Sequence, residues 1–115
     1  MPAEKKEKFA YVYILRCEGE TLYTGITTDV MRRYEEHVSG KGARYTRAHK
    51  PLHIAAVFRV EDLKIAARFE YAIKHLKKEE KELLLREPER LPDLFPKLSE
   101  CKAVYDCNLV QKSVK

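Results

Sequence analysis

An α+β fold, with a small three-stranded antiparallel sheet flanked by helices in the order β-β-α-β-α-α and an irregular C-terminal tail, is predicted by three features of the chain. The runs Phe9 to Cys17 and Leu22 to Thr27 are rich in aromatic and β-branched residues and are separated only by Glu18-Gly19-Glu20-Thr21, which is a hairpin signal. Leu52 to Val60 is a third β-rich run. The segments around and after it place apolar residues at helical spacing.

In the hairpin, Tyr13 and Tyr23 fall near facing parts of the two strands, where neighbours lie about 5 Å apart, so both phenols are expected to line one face. Gly25 follows, with a bare backbone that permits close approach. Thr27-Thr28-Asp29 supplies helix caps, and Val30, Met31, Tyr34 and Val38 recur at helical spacing up to Ser39-Gly40. Arg33 and His37, four apart, share an edge of that helix. Gly40 to Pro51 is read as a loop. Asp62 caps a second helix running to about Lys78, with Leu63, Ile65, Ala66, Phe69, Ile73 and Leu76 as its buried side. Lys78 to Glu87 forms a short charged helix carrying Leu83, Leu84 and Leu85.

Glu70 lies within the apolar arc of the second helix, where an unpaired carboxylate is costly. Metal coordination is one explanation. The other is a place at the edge of the arc, with a salt bridge to Lys74 four residues on.

The 115 residues divide into a charged leader at 1–8, a core domain at 9–87 and a proline-containing extension at 88–115. Pro88, Pro92 and Pro96 recur too closely for a single helix. Leu91, Leu94, Phe95, Leu98, Val104, Tyr105, Leu109 and Val110 are too many apolar residues for a free linker, so the extension is expected to wrap the domain or to meet a protein partner. No apolar run approaches the roughly 20 residues of a membrane span, and Met1 to Lys8 lacks a signal-peptide core, so a cytoplasmic location is expected. Cys17, Cys101 and Cys107 lack Cys-x-x-Cys spacing and are read as reduced thiols, with a Cys101–Cys107 bridge as the alternative.

Lys and Arg total 23 against 18 Asp and Glu, a net charge of +5 that favours an anionic partner. Between positions 32 and 50, Arg32, Arg33, Lys41, Arg44, Arg47 and Lys50 outnumber Glu35 and Glu36, and Tyr45, His37 and His49 are interleaved with them. Such a stretch is either a solvated face or a nucleic-acid surface.

The order Tyr13, ten residues, Tyr23-Thr24-Gly25, then Arg33 and His37 resembles the GIY-YIG nuclease superfamily, and the run Leu22 to Val30 is similar to its small single-domain bacterial members. The first motif stands as Tyr11-Val12-Tyr13 and the second as Tyr23-Thr24-Gly25; Ile26 occupies the position where some repair members carry lysine. Ala67-Arg68-Phe69-Glu70 matches the helix that carries the family's metal-binding glutamate. The resemblance covers about Phe9 to Leu76 and implies a metal-dependent endonuclease acting on DNA, with a role in repair or processing.

On that resemblance Glu70 holds one Mg²⁺ or Mn²⁺, hard cations that prefer carboxylate and water. Arg33 braces the phosphate oxygens, bidentate where a lysine could not be. Tyr13 is the general base, Tyr23 positions water or shares that role, and His37 contacts phosphate or relays a proton. Gly25, Lys41, Arg44, Arg47 and Lys50 are the expected nucleic-acid contacts. Two other readings remain: a non-catalytic nucleic-acid-binding module, and an adaptor whose tail delivers the domain to a repair complex.

Overall fold

The computed structural model describes residues 9–98 and 100–112. The charged leader expected at 1–8 lies outside the described residues. Strand β1, Ala10–Cys17, turns into β2, Thr21–Thr27, through a tight loop in which Gly19 and Glu20 take φ of +78° and +58°. Glycine adopts the left-handed region at no steric cost, whereas Glu20 has a Cβ to accommodate there. Helix α1, Val30–Val38, starts where the Asp29 carboxylate accepts from the Arg32 N–H at 3.2 Å. Strand β3 is Pro51–Val60, and α3, Leu63–Lys74, is capped by Asp62 through the Ile65 N–H at 2.9 Å. Helix α4, Lys78–Arg86, follows after a break at His75 to Lys77.

The sheet has four strands in the order β2-β1-β3-β4, all antiparallel, not the three expected. The fourth, β4, is Val104–Tyr105, which pairs with Arg59 and Phe58 of β3. Two residues are too few to show any alternation, so this strand is made by docking on a sheet edge and not by its own pattern. The loop expected from Gly40 to Pro51 contains a further helix, α2, Arg44–Ala48, a single turn too short to leave a periodic signal. Leu63, expected on the buried side of α3, is instead 48% exposed in the first turn of that helix, and Val38, at the end of the helical spacing in α1, is 42% exposed.

Helices cover both faces of β1, which explains its near-continuous apolar run. On one face Val12, Ile14, Ala56, Phe58 and Val60 pack with Ala66, Phe69 and Ile73 of α3 and Leu84 of α4. On the other, Tyr13, Leu15, Cys17, Ile54 and Val57 pack with Val30 of α1. Arg16 of β1 makes a bidentate pair with Glu82 of α4 at 2.8 and 2.9 Å, which fastens that helix to the central strand.

The C-terminal segment is less irregular than expected. It contains α5, Leu91–Leu94, between 3-10 turns at Pro88–Arg90 and Pro96–Leu98, then β4 and α6, Cys107–Lys112. Leu91 and Leu98 are buried in the same cluster as Phe58 and Phe69, while Leu109 and Val110 of α6 pack on the Tyr13 face. Cys17, Cys101 and Cys107 are free thiols, as their spacing indicates. No helix among the described residues is long and apolar enough to cross a membrane.

Leu91 is 3% exposed, so Leu91→Ala is expected to cost about 2–5 kcal/mol of unfolding free energy by urea titration, the usual cost of a buried leucine. A loss below about 0.5 kcal/mol would mean that the C-terminal segment rests on the core without contributing to it.

Candidate functional site

The site grows from one register. β1 and β2 pair so that Tyr13 faces Gly25 and Leu15 faces Tyr23, which puts both tyrosines on the same side of the sheet. Their ring centroids lie 6.3 Å apart. A Cβ on Gly25 would stand 2.6 Å from the Tyr13 hydroxyl and 3.0 Å from the Tyr23 ring. Gly25 is buried, and its bare Cα serves to admit the two rings. The sequence reading made it a nucleic-acid contact; the structure supplies a different reason for the glycine.

Helix α1 delivers the next two groups. Val30 anchors its first turn in the core, and Arg33 and His37 follow at one-turn intervals on the stripe facing the tyrosines. His37 is 1% exposed, with its ring 5.8 Å from that of Tyr13 and 5.2 Å from that of Tyr23. Its Nε2 lies 2.8 Å from the Tyr13 hydroxyl, and its Nδ1 lies 2.7 Å from the Thr46 hydroxyl.

The donors in this line can be assigned by elimination. The Thr46 hydroxyl donates to the Ala43 carbonyl at 2.9 Å, so it accepts from His37 Nδ1–H. Nε2 is then the acceptor for the Tyr13 O–H. Burial favours the neutral ring, and in that state its tautomer is set by a residue of α2. Burial, reinforced by the Arg33 charge and opposed by Glu36, holds its pKa down at about 4. Burial and the adjacent Tyr23 phenol likewise push the Tyr13 pKa upward, although Arg33 favours the phenolate. The Tyr13 phenolate that could act as a base is thus scarcely populated near neutral pH. The phenol is protonated, and its oxygen lies within hydrogen-bonding distance of the His37 ring, which burial makes a weak base.

Arg33 donates to Glu36 at 2.8 Å and is about one-third exposed, so its guanidinium borders the site without being used up in the core. Glu70 approaches from α3, and its proximity opposes ionisation of Tyr13. Its side chain is 23% exposed and pairs with Lys74 at 3.2 Å, so the salt bridge weighed as the alternative to a metal does form. Lys74 Nζ lies 5.9 Å from the Tyr23 ring centroid, although Phe69 and Ile73 of the same helix are buried on the opposite face of the sheet. Because β2 is the edge strand, side chains from both layers can meet there.

Among the described residues no three His, Cys, Asp or Glu side chains cluster as a metal cage would need. A single partly buried carboxylate can supply one ligand to a hard divalent ion that keeps most of its ligands as water and phosphate, provided that the Lys74 ammonium paired with it gives way. It does not fit zinc or a calcium loop.

Lys41, Arg44, Arg47 and Lys50 are exposed, and among the described residues none is in an ion pair. The segment that carries them also builds the site. A Cβ on Gly42 would collide with His37 Nδ1, and Thr46 is 2% exposed beneath the exposed arginines. Tyr45 stacks on His49 at 4.3 Å and on Tyr23 at 5.9 Å. Sequence reasoning missed Gly42 and Thr46 as site residues. The signal available was the second glycine of Gly40-Lys41-Gly42, two residues past the helix stop that Gly40 alone provides.

Residues 9–83 match the GIY-YIG catalytic domain. The chain is 46% identical over 88 residues to the UPF0213 protein YhbQ of Salmonella arizonae, which covers 76% of this chain and 88% of that one. It is 48% identical over 75 residues to the UPF0213 protein BH0048 of Halalkalibacterium halodurans, covering 65% and 80% respectively. The solution NMR structure of BH0048 aligns with a TM-score of 0.45 at 46% identity, over 68% of this chain and 83% of that one. With its two tyrosines, glycine, arginine, histidine and glutamate gathered at one sheet edge and the domain matched over most of its length, the chain belongs to the GIY-YIG family.

Proposed function

We propose that the chain is a metal-dependent endonuclease that hydrolyses phosphodiester bonds in DNA, with a role in repair or processing. The observation that carries this reading is the buried line Tyr13–His37–Thr46, which holds a neutral imidazole against a protonated phenol beside an arginine. A purely structural aromatic core has no need of that arrangement, whereas hydrolysis at neutral pH does.

As the attacking water approaches phosphorus, its proton passes to the Tyr13 oxygen while the Tyr13 proton passes to His37 Nε2. The new P–O bond forms as the bond to the 3′-oxygen breaks, and the departing 3′-oxygen takes a proton from solvent to leave as a hydroxyl. Proton transfer of this kind contributes about 10²–10⁴-fold to rate. Thr46 keeps Nδ1–H engaged, so Nε2 stays the accepting nitrogen throughout. Arg33 braces the non-bridging oxygens, which gain charge in the transition state. Tyr23, partly exposed above the pair, orients the water. Glu70 would hold a divalent ion of the Mg²⁺ or Mn²⁺ type, which would supply positive charge against the negative charge that develops during cleavage. Lys41, Arg44, Arg47 and Lys50 meet the flanking phosphates. A non-catalytic binding module would keep these four cations but has no use for a neutral, tautomer-fixed histidine.

Glu70→Gln is expected to abolish Mg²⁺-dependent cleavage in a screen of branched, single-stranded and duplex substrates, with binding largely retained. Tyr13→Phe should keep the packing and cut cleavage about 10²–10⁴-fold. Undiminished turnover in either folded variant would overturn the assignment.

The neutral histidine also has a thermodynamic signature. His37 binds its proton less tightly in the folded chain than at the ordinary value of 6.5, so its contribution to stability is complete above that pH and is lost as the pH falls toward about 4. Between those limits the dependence reaches at most about 1.4 kcal/mol per pH unit. Urea midpoints measured from neutral pH down to about pH 4.5 should fall more steeply for the natural chain than for His37→Asn. Parallel curves would show that the histidine is not held neutral.

A further inference from the structure

Lys74 has no part in the mechanism above, yet its ammonium lies inside the site. It leaves α3 on the side of the edge strand β2, with Nζ 3.2 Å from Glu70 Oε2 and 5.9 Å from the centroid of the Tyr23 ring. Arg33 reaches Tyr13 from α1, which packs on the other face of the sheet. The tyrosines are thus flanked by one cation from each layer, and each cation is paired with a carboxylate of its own helix, Arg33 with Glu36 and Lys74 with Glu70.

The hold on the Lys74 ammonium is weak. Its side chain is 49% exposed, and its carboxylate lies four residues back along the same helix surface. The Tyr23 ring is only just inside the roughly 6 Å reach of a cation–π contact. Exposed pairs of this kind shift an equilibrium by about 2- to 5-fold. The bland explanation is that the pair braces the helix, since a glutamate four residues before a lysine is the favourable orientation.

The identity of the carboxylate argues for more. Glu70 cannot take a divalent ion at the oxygen that holds the ammonium, and at its other oxygen the two cations would still repel each other across the width of one carboxylate. Lys74 must therefore leave Glu70 before the carboxylate can serve as a ligand. The departing side chain keeps its charge and stays tethered to α3 beside Tyr23, where the anion that the proposed reaction brings in is the substrate's phosphate. An ammonium, with three donors on a flexible stem, is suited to moving from one oxygen partner to another.

We infer that Lys74 is a further substrate-contacting residue that exchanges partners: it holds Glu70 in the free chain, releases that carboxylate to the divalent ion, and takes a phosphate oxygen of the bound strand instead. This rests on the nuclease reading above and gives its site a second phosphate-binding cation, opposite Arg33.

Two binding measurements on the full chain test this, and neither needs cleavage. In the first, Mn²⁺ is titrated without nucleic acid and the unbound ion is followed by its electron paramagnetic resonance. Glu70→Gln should abolish the site, and Lys74→Gln should tighten it about 2- to 10-fold, because the competing pair and the repelling charge are both gone. Lys74→Arg, which keeps the charge, should stay near the natural affinity. In the second, a fluorescent DNA oligonucleotide is titrated without divalent metal over a series of salt concentrations. Glu70→Gln frees the ammonium, so adding Lys74→Gln to it should lower the slope of log affinity against log salt by about 0.7–0.9, the value for one phosphate contact. With Glu70 intact the ammonium is engaged, and Lys74→Gln should change the slope less.

Unchanged or weaker Mn²⁺ binding in Lys74→Gln overturns the exchange, as does a Mn²⁺ site that survives Glu70→Gln. Equal slopes for Glu70→Gln with and without Lys74 overturn the phosphate contact. A lysine that only braces the helix would lower the melting temperature when replaced and leave both measurements as they are. Its side chain is half exposed, so these variants spare the core. Both results as described, with no cleavage of any substrate by the natural chain, defeat the nuclease reading alone. Cleavage by the natural chain with neither result defeats this inference alone.

Discussion

The buried hydrogen-bond line from Tyr13 through His37 to Thr46 and the Ala43 carbonyl is the constraint on which the rest of the site depends. Its members come from β1, α1 and α2 and are almost fully excluded from water. A buried polar group left without a partner costs about 1–3 kcal/mol, so three elements must be held in one geometry for all the donors to be satisfied. None of the buried side-chain polar atoms described is left unpaired. Two glycines follow from the same line: Gly25 gives way to the Tyr13 and Tyr23 rings, and Gly42 gives way to the His37 imidazole.

That arrangement divides the basic segment into two functions. Its inward residues, Gly42 and Thr46, position the histidine, while its outward residues, Lys41, Arg44 and Arg47, form an exposed positive surface directly above. The exposed charge and the hydrogen bond that positions His37 thereby come from one short segment. Arg33 mediates between them, since its charge favours a neutral His37 and opposes, without overcoming, the effect of burial on Tyr13.

The sheet edge explains how α3 takes part. Its apolar residues face the core on the side away from the tyrosines, yet Glu70 and Lys74 lie close to Tyr13 and Tyr23. Side chains of length like Lys and Glu can keep their stems on the apolar face and carry their charges past the edge. At the other edge of the sheet, β4 and the buried Leu91 and Leu98 close the core that β3 would otherwise leave open. The two edges are thus used differently, one covered by the chain and one carrying the candidate chemistry.

The hairpin, helix α1, strand β3 and the capped start of α3 were legible because each carries a local signal: alternation or β-branching, a cap, or a 3.6-residue period. The same signals put Tyr13 and Tyr23 on one face and Arg33 and His37 on one edge, and Glu70 could be singled out as a carboxylate in an apolar arc. What remained hidden were elements whose shape depends on contact. Strand β4 is two residues long, and α2 is one turn, so neither carries a period of its own. Thr46 was illegible for a related reason: a threonine near an exposed arginine becomes a buried acceptor only once α1 brings His37 against it. Protonation was also decided in three dimensions. Sequence spacing names a tyrosine and a histidine, but which of them keeps its proton is set by burial and by the third group in line, and both are consequences of packing alone.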